Sequence, residues 1–82
     1  MPGKLRTLSG EDVVRILAGF GFELIGRRGS HAKLRRMSPD GCRQTLHLPL
    51  HDELRKGTRH AVFQQAAMYI PEQDLRPHFY SD

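Results

Sequence analysis

The stretch FELIGRRGSHAKLRR, residues 22–36, decides the fold. Phe22 and Leu24 alternate with Glu23, and Ile25 precedes Gly26, which is the pattern of a short strand leading into a turn, GRRGS (26–30). Gly29 supplies a positive φ if the turn needs one. Beyond it Ala32 and Leu34 point one way and His31, Lys33 and Arg35 the other, because side chains alternate along a strand. Two strands joined by so short a turn are antiparallel. The same alternation sets one histidine among fixed positive charges, Arg27, Arg28, Lys33, Arg35 and Arg36.

The pattern continues on both sides. MSPDG (37–41) is rich in turn formers, and QTLHLPL (44–50) makes a third strand with Leu46 and Leu48 inward, Thr45 and His47 outward, and Pro49 at its end. Upstream, Ser9 is an N-cap with Asp12 at the third helical position, and Val13, Ile16, Leu17 and Phe20 form one apolar stripe from a start at about Gly10. Gly19 and Gly21 offer a left-handed residue to close that helix. Downstream, Thr58 is the expected N-cap of a second helix whose stripe is Val62, Phe63, Ala66, Ala67 and Ile70, stopping at Pro71.

The expected fold is therefore α+β, in the order α-β-β-β-α. A three-stranded antiparallel sheet carries both helices on its Leu34/Leu46/Leu48 face and leaves the other face open. The chain of 82 residues reads as a single domain, 1–82, with a core over about 9–70. The tail 71–82 has room for one helical turn before Pro77, with Phe79 and Tyr80 either docked or free.

Composition narrows the function. A net charge of +4 and a pI of about 9.8 favour polyanionic partners, and the charge concentrates around His31. The single cysteine, Cys42, cannot form an internal disulfide, so a reducing cytoplasm fits. No apolar run approaches the roughly 20 residues of a membrane span, and the N-terminus has no signal-peptide core. His47 and His51 stand four apart, but Pro49 between them breaks the helix that would align them, so no metal site is expected.

RNA carries its own nucleophile, the 2′-OH, beside each phosphate. Its cleavage needs little more than a base, an acid and positive charge on the developing phosphorane. His31 suits the base, since histidine is the side chain that normally titrates near neutrality. Lys33 and Arg35 share its face; with Arg27, Arg28, Ser30 and Arg36 they make up the candidate phosphate-binding set. His47 and His51 are auxiliary candidates, His47 as an acid or a plain polar residue, His51 as a brace for the following loop.

Three elements together, GFELIGRRGSH (21–31), LPLH (48–51) and KGT (56–58), resemble the HicA toxin family over about Ser9 to Met68. The resemblance implies a fold like a double-stranded-RNA-binding domain and a ribonuclease that cuts mRNA under the control of a HicB antitoxin. It implies His31 as the catalytic residue, with Gly29 and Ser30 shaping its turn. Pro49-Leu50-His51 matches the second signature, to which no role is assigned, and nothing is carried over to His47 or the aromatic tail.

The expected function is thus a metal-independent endoribonuclease toxin without a cofactor, whose partners are mRNA and an antitoxin over the active-site face. The alternative is a catalytically silent RNA-binding module reading backbone shape and 2′-hydroxyls with the same face. A third reading is an adaptor whose basic face receives an acidic protein.

Overall fold

The computed structural model describes residues 3–81. Its elements run β1 (Lys4–Leu5), α1 (Gly10–Ala18), β2 (Glu23–Arg28), β3 (His31–Met37), β4 (Arg43–Pro49), α2 (Lys56–Ala67), α3 (Glu72–Phe79) and β5 (Tyr80–Ser81). β2, β3 and β4 form the antiparallel sheet in that order. One face packs under the helices, with Ala32, Leu34, Leu46 and Leu48 in the same cluster as Val13 and Leu17 of α1 and Val62, Phe63 and Ala66 of α2. The expected α+β arrangement, α-β-β-β-α around a three-stranded antiparallel sheet, is the one observed.

The β2–β3 connection is tighter than the sequence suggested. β2 runs on to Arg28, which pairs with His31, so the loop is only Gly29-Ser30. Gly29 has φ +60 and Ser30 a negative φ, the signs of a type II′ turn, whose twist matches that of the flanking strands. Farther along, Leu24 pairs with Leu34 and Gly26 with Lys33, which leaves Ile25 as a bulge. Leu24 was expected to alternate inward with Phe22, yet Phe22 is buried and Leu24 is 49% exposed. Leu24 lies opposite the buried Leu34 and so on the helix-covered side, but β2 is an edge strand and the side chain is left only partly covered there.

α1 begins where expected. Ser9 Oγ accepts the Asp12 N–H at 3.0 Å and the Asp12 carboxylate accepts the Ser9 N–H at 2.9 Å, a reciprocal capping box made with Asp in place of the longer Glu. Gly21, with φ +93, supplies the left-handed residue after the helix. Gly10 has a separate role, because a Cβ there would collide with the Pro49 carbonyl and the Leu50 backbone. The start of α1 is pressed directly on the end of β4, and the Gly10 N–H donates to His51 O at 2.9 Å.

Two expectations need correction. α2 starts at Lys56, so Thr58 lies inside its first turn and the N-cap position belongs to Arg55, which makes no side-chain cap. The tail forms two turns of helix through Pro77 rather than one before it, and Leu75 and Phe79 are fully buried. Phe79 packs edge-on against Phe63 with centroids 5.4 Å apart, burial that outweighs the proline's cost in so short a helix. β5 then pairs antiparallel with β1, adding a small second ribbon. No helix among the described residues is long and apolar enough to cross a membrane.

Candidate functional site

The face of the sheet away from the helices carries the residues outside the core, ordered in rows by strand register. His31 stands between Arg28 on β2 and Pro49 on β4; Lys33 stands between Gly26 and His47; Arg35 stands between Glu23 and Thr45. Directly opposed residues of an antiparallel pair have Cβ atoms about 5 Å apart, and diagonal neighbours remain within reach of long side chains. His47 is thus opposite Lys33 and diagonal to His31.

Gly26 shapes the centre of this face. It puts no side chain opposite Lys33, and the space a Cβ would occupy there is open. The result is a shallow depression of about 450 Å³ lined by Arg28, His31, Lys33 and His47 together with Gly26, Arg27 and Ala32. His31, Lys33, Arg28 and His47 are exposed, so an extended polyanion can reach all four.

The backbone beneath is held from both ends. Ser30 contributes its carbonyl, which accepts the Leu50 N–H at 2.5 Å and ties the hairpin tip to the end of β4. Arg27 reaches back, Nε to Gly29 O at 3.2 Å, across the same turn. At the outer edge of β4, the Gln65 side chain of α2 takes the place of a neighbouring strand. Its Oε1 accepts the His47 N–H at 2.9 Å and its Nε2 donates to His47 O at 3.2 Å. This closes an edge that would otherwise offer unpaired backbone groups and fixes the strand bearing His47.

Arg36 departs from its expected place. It is held on the helix-covered side, donating through Nε to Gln44 Oε1 (2.7 Å), Nη1 to Phe20 O (2.9 Å) and Nη2 to Tyr69 O (2.9 Å), with its guanidinium 4.8 Å above the Phe22 ring. Each of the three guanidinium nitrogens makes a hydrogen bond within the protein, which fixes the side chain on that side of the sheet. Arg35 is half-buried on the open side, with an Nε that is buried and lacks a partner. His51 is exposed past the end of β4, and its backbone, not its ring, makes the contact with α1. The Pro49-Leu50-His51 segment therefore acts as a joint among hairpin tip, β4 and α1.

Two features escaped the sequence reading: the Arg28–His31 pair and the gap over Gly26. Both follow from register. A two-residue Gly-Ser loop puts Arg28 opposite His31, whereas a five-residue turn, GRRGS, puts nothing there. Among the described residues no three His, Cys, Asp or Glu side chains converge as metal ligands do.

A family model described as the HicA toxin of bacterial toxin–antitoxin systems matches residues 10–68. That span runs from the first residue of α1 to just past α2 and includes the whole sheet. No curated protein and no solved structure matches the chain.

Proposed function

The chain belongs to the HicA toxin family of bacterial toxin–antitoxin systems, and from that premise we propose that it is an endoribonuclease that cuts mRNA with His31 as general base. The observation that carries the reading is the depression on the open sheet face, where an exposed imidazole, a second imidazole and two cations line the same hollow as Gly26, over which the space is open.

The reaction follows from that set. His31 takes the proton of a 2′-OH, and O2′ forms a bond to the adjacent phosphorus while the P–O5′ bond breaks. Lys33 and Arg28 flank the phosphate and balance the charge that builds on its equatorial oxygens. The departing O5′ needs a proton, and His47, diagonal to His31, is the group we assign to deliver it. The products are a 2′,3′-cyclic phosphate and a 5′-hydroxyl. Nucleophile and leaving group both belong to the RNA, and the proton taken by His31 is matched by the one His47 gives to O5′.

Labelled RNA incubated in EDTA with wild-type protein and with His31→Ala tests the reading. The expected outcome is cleavage by the wild type alone, with a cyclic phosphate end. Cleavage that stops on chelation, or that survives His31→Ala, would overturn the mechanism. RNA binding by both proteins without cleavage by either would replace it with a silent RNA-binding module.

A further inference from the structure

Glu23 is the only carboxylate on β2, β3 and β4, and it is exposed on a face that is otherwise cationic. Its register partner is Arg35, which alternation sets on the same side as Lys33 and His31. A carboxylate repels phosphate, so on a surface that receives RNA its task is not to hold the backbone. The polar hydrogens of a base edge give it another, because an ionised carboxylate only accepts.

The surroundings of Glu23 suit a base. Glu23, Ile25, Arg35 and Met37 line one hollow of about 480 Å³, together with Gly21 and Arg36. Ile25 is the residue left out of register between Leu24 and Gly26, and a bulge of this kind re-aims a side chain. It is 45% exposed and Met37 is 56% exposed, two large apolar groups that can cover the flat face of a base. Arg35 is half-buried and thus confined, and its planar fork donates where Glu23 accepts. Along β3, Arg35 lies roughly 13 Å from His31, at about 3.3 Å of rise per residue. One RNA strand can therefore lie over both.

We propose that this hollow is a base-reading subsite that takes an unpaired guanine near the point of cleavage, with Glu23 as the specificity-determining residue. The two carboxylate oxygens accept from N1–H and from the N2 amine, adjacent donors that guanine alone among the RNA bases presents, and Arg35 donates to O6 beside them. The proposal rests on the reading of RNA as the substrate and deepens it by naming the nucleotide admitted beside the cut. The hollow shares no lining residue with the His31 depression. Choice of sequence and chemistry thus draw on different residues.

The test compares the affinities of 2′-O-methyl oligouridines of about 8 nucleotides, within the range of single-strand site sizes, that carry guanosine, inosine, adenosine or uridine at one central position. Lacking a 2′-OH, these probes cannot be cut. The guanosine probe should bind about tenfold more tightly than the adenosine and uridine probes. Inosine keeps O6 and N1–H but lacks the N2 amine, and should lose most of that margin. Glu23→Gln should erase the margin while the uridine probe binds as well as before or better, because a negative charge has left the face. Equal affinity of the wild type for guanosine and uridine probes would overturn the proposal. So would a Glu23→Gln effect of the same size on every probe, since Glu23 would then be only a counter-charge to Arg35. Binding of no probe at all would remove both the subsite and the RNA reading beneath it. Binding is otherwise read apart from cleavage: a protein that prefers guanosine and cuts no RNA keeps the subsite and loses the nuclease reading, and His31-dependent cleavage without a preference in binding does the opposite.

Discussion

Lys33 and Arg36, three residues apart on β3, show how position on a strand divides like charges between different tasks. Lys33 is exposed above Gly26, while Arg36 ties two backbone carbonyls and Gln44 together beneath the sheet. Lys33→Ala is expected to leave the melting temperature unchanged and to lower the salt slope of RNA binding by about 0.7. Arg36→Met is expected to do the reverse, costing about 2–3 kcal/mol in denaturant unfolding with no change of slope, because its bonds are charge-assisted and partly buried. Equal effects of the two on RNA affinity would show that the open face is not the RNA surface. His31→Ala should retain fold and affinity and lose about 100-fold to 10,000-fold in cleavage rate, the usual span for a general base. Circular dichroism and single-turnover rates read the two parts separately.

At the scale of elements, the two ends of the chain hold what the middle displays. Ser9→Ala should cost about 1 kcal/mol through the lost cap. The same cap makes stability depend on pH. The Ser9 backbone N–H, the Ser9 hydroxyl and the Arg15 guanidinium hold the Asp12 carboxyl below its ordinary 3.8. Ser38 and the Cys42 N–H do the same for Asp40 in the turn before β4. A carboxyl lowered in the folded state contributes stability that is complete above the unfolded value and is lost as pH falls through the folded one. Thermal unfolding should therefore show stability declining below about pH 4, with a smaller decline in Asp12→Asn. A decline of the same size in that variant would assign the acid sensitivity elsewhere. α3 supplies the other end. Phe79→Ala should cost about 3–5 kcal/mol, a large share of the 5–15 kcal/mol by which domains are stable.

For the molecule as a whole, the open sheet face has two demands on it. A protein of a toxin–antitoxin family has a partner that restrains it, and the most direct restraint is to cover the depression around His31. We propose a HicB-type antitoxin that presents acidic groups to Arg28, Lys33 and Arg35, which would imitate phosphate and speed encounter at low salt. A standard interface takes about 800 Å² from each partner, a substantial part of the 5530 Å² this chain exposes. Complex formation should slow hydrogen exchange in β3 and inhibit cleavage competitively with RNA. A tight complex that leaves RNA binding intact would mean that inhibition acts by another route.

The central elements were legible because their signal is local. Period-two alternation in β3 and β4 marks the buried and open faces, a 3.6-residue stripe marks the two main helices, and Ser9 marks where α1 begins. The His31, Lys33 and Arg35 face follows from alternation alone. The register of the hairpin was only half legible, since GRRGS does not announce which two residues turn, and with the register went the pairing of Arg28 with His31. What remained was decided by contacts between distant parts of the chain. Arg36 bonds a carbonyl 33 residues away, and Arg6 reaches His78 O across 72 residues. Gly10 is required by the end of β4, and the tail helix by the Phe63 ring. Periodicity tells a residue which face it is on; only packing decides what meets it there. Alternation already puts Arg36 on the face of Leu34, away from Lys33 and Arg35; that the Phe20 and Tyr69 carbonyls meet it there was decided by the tertiary structure.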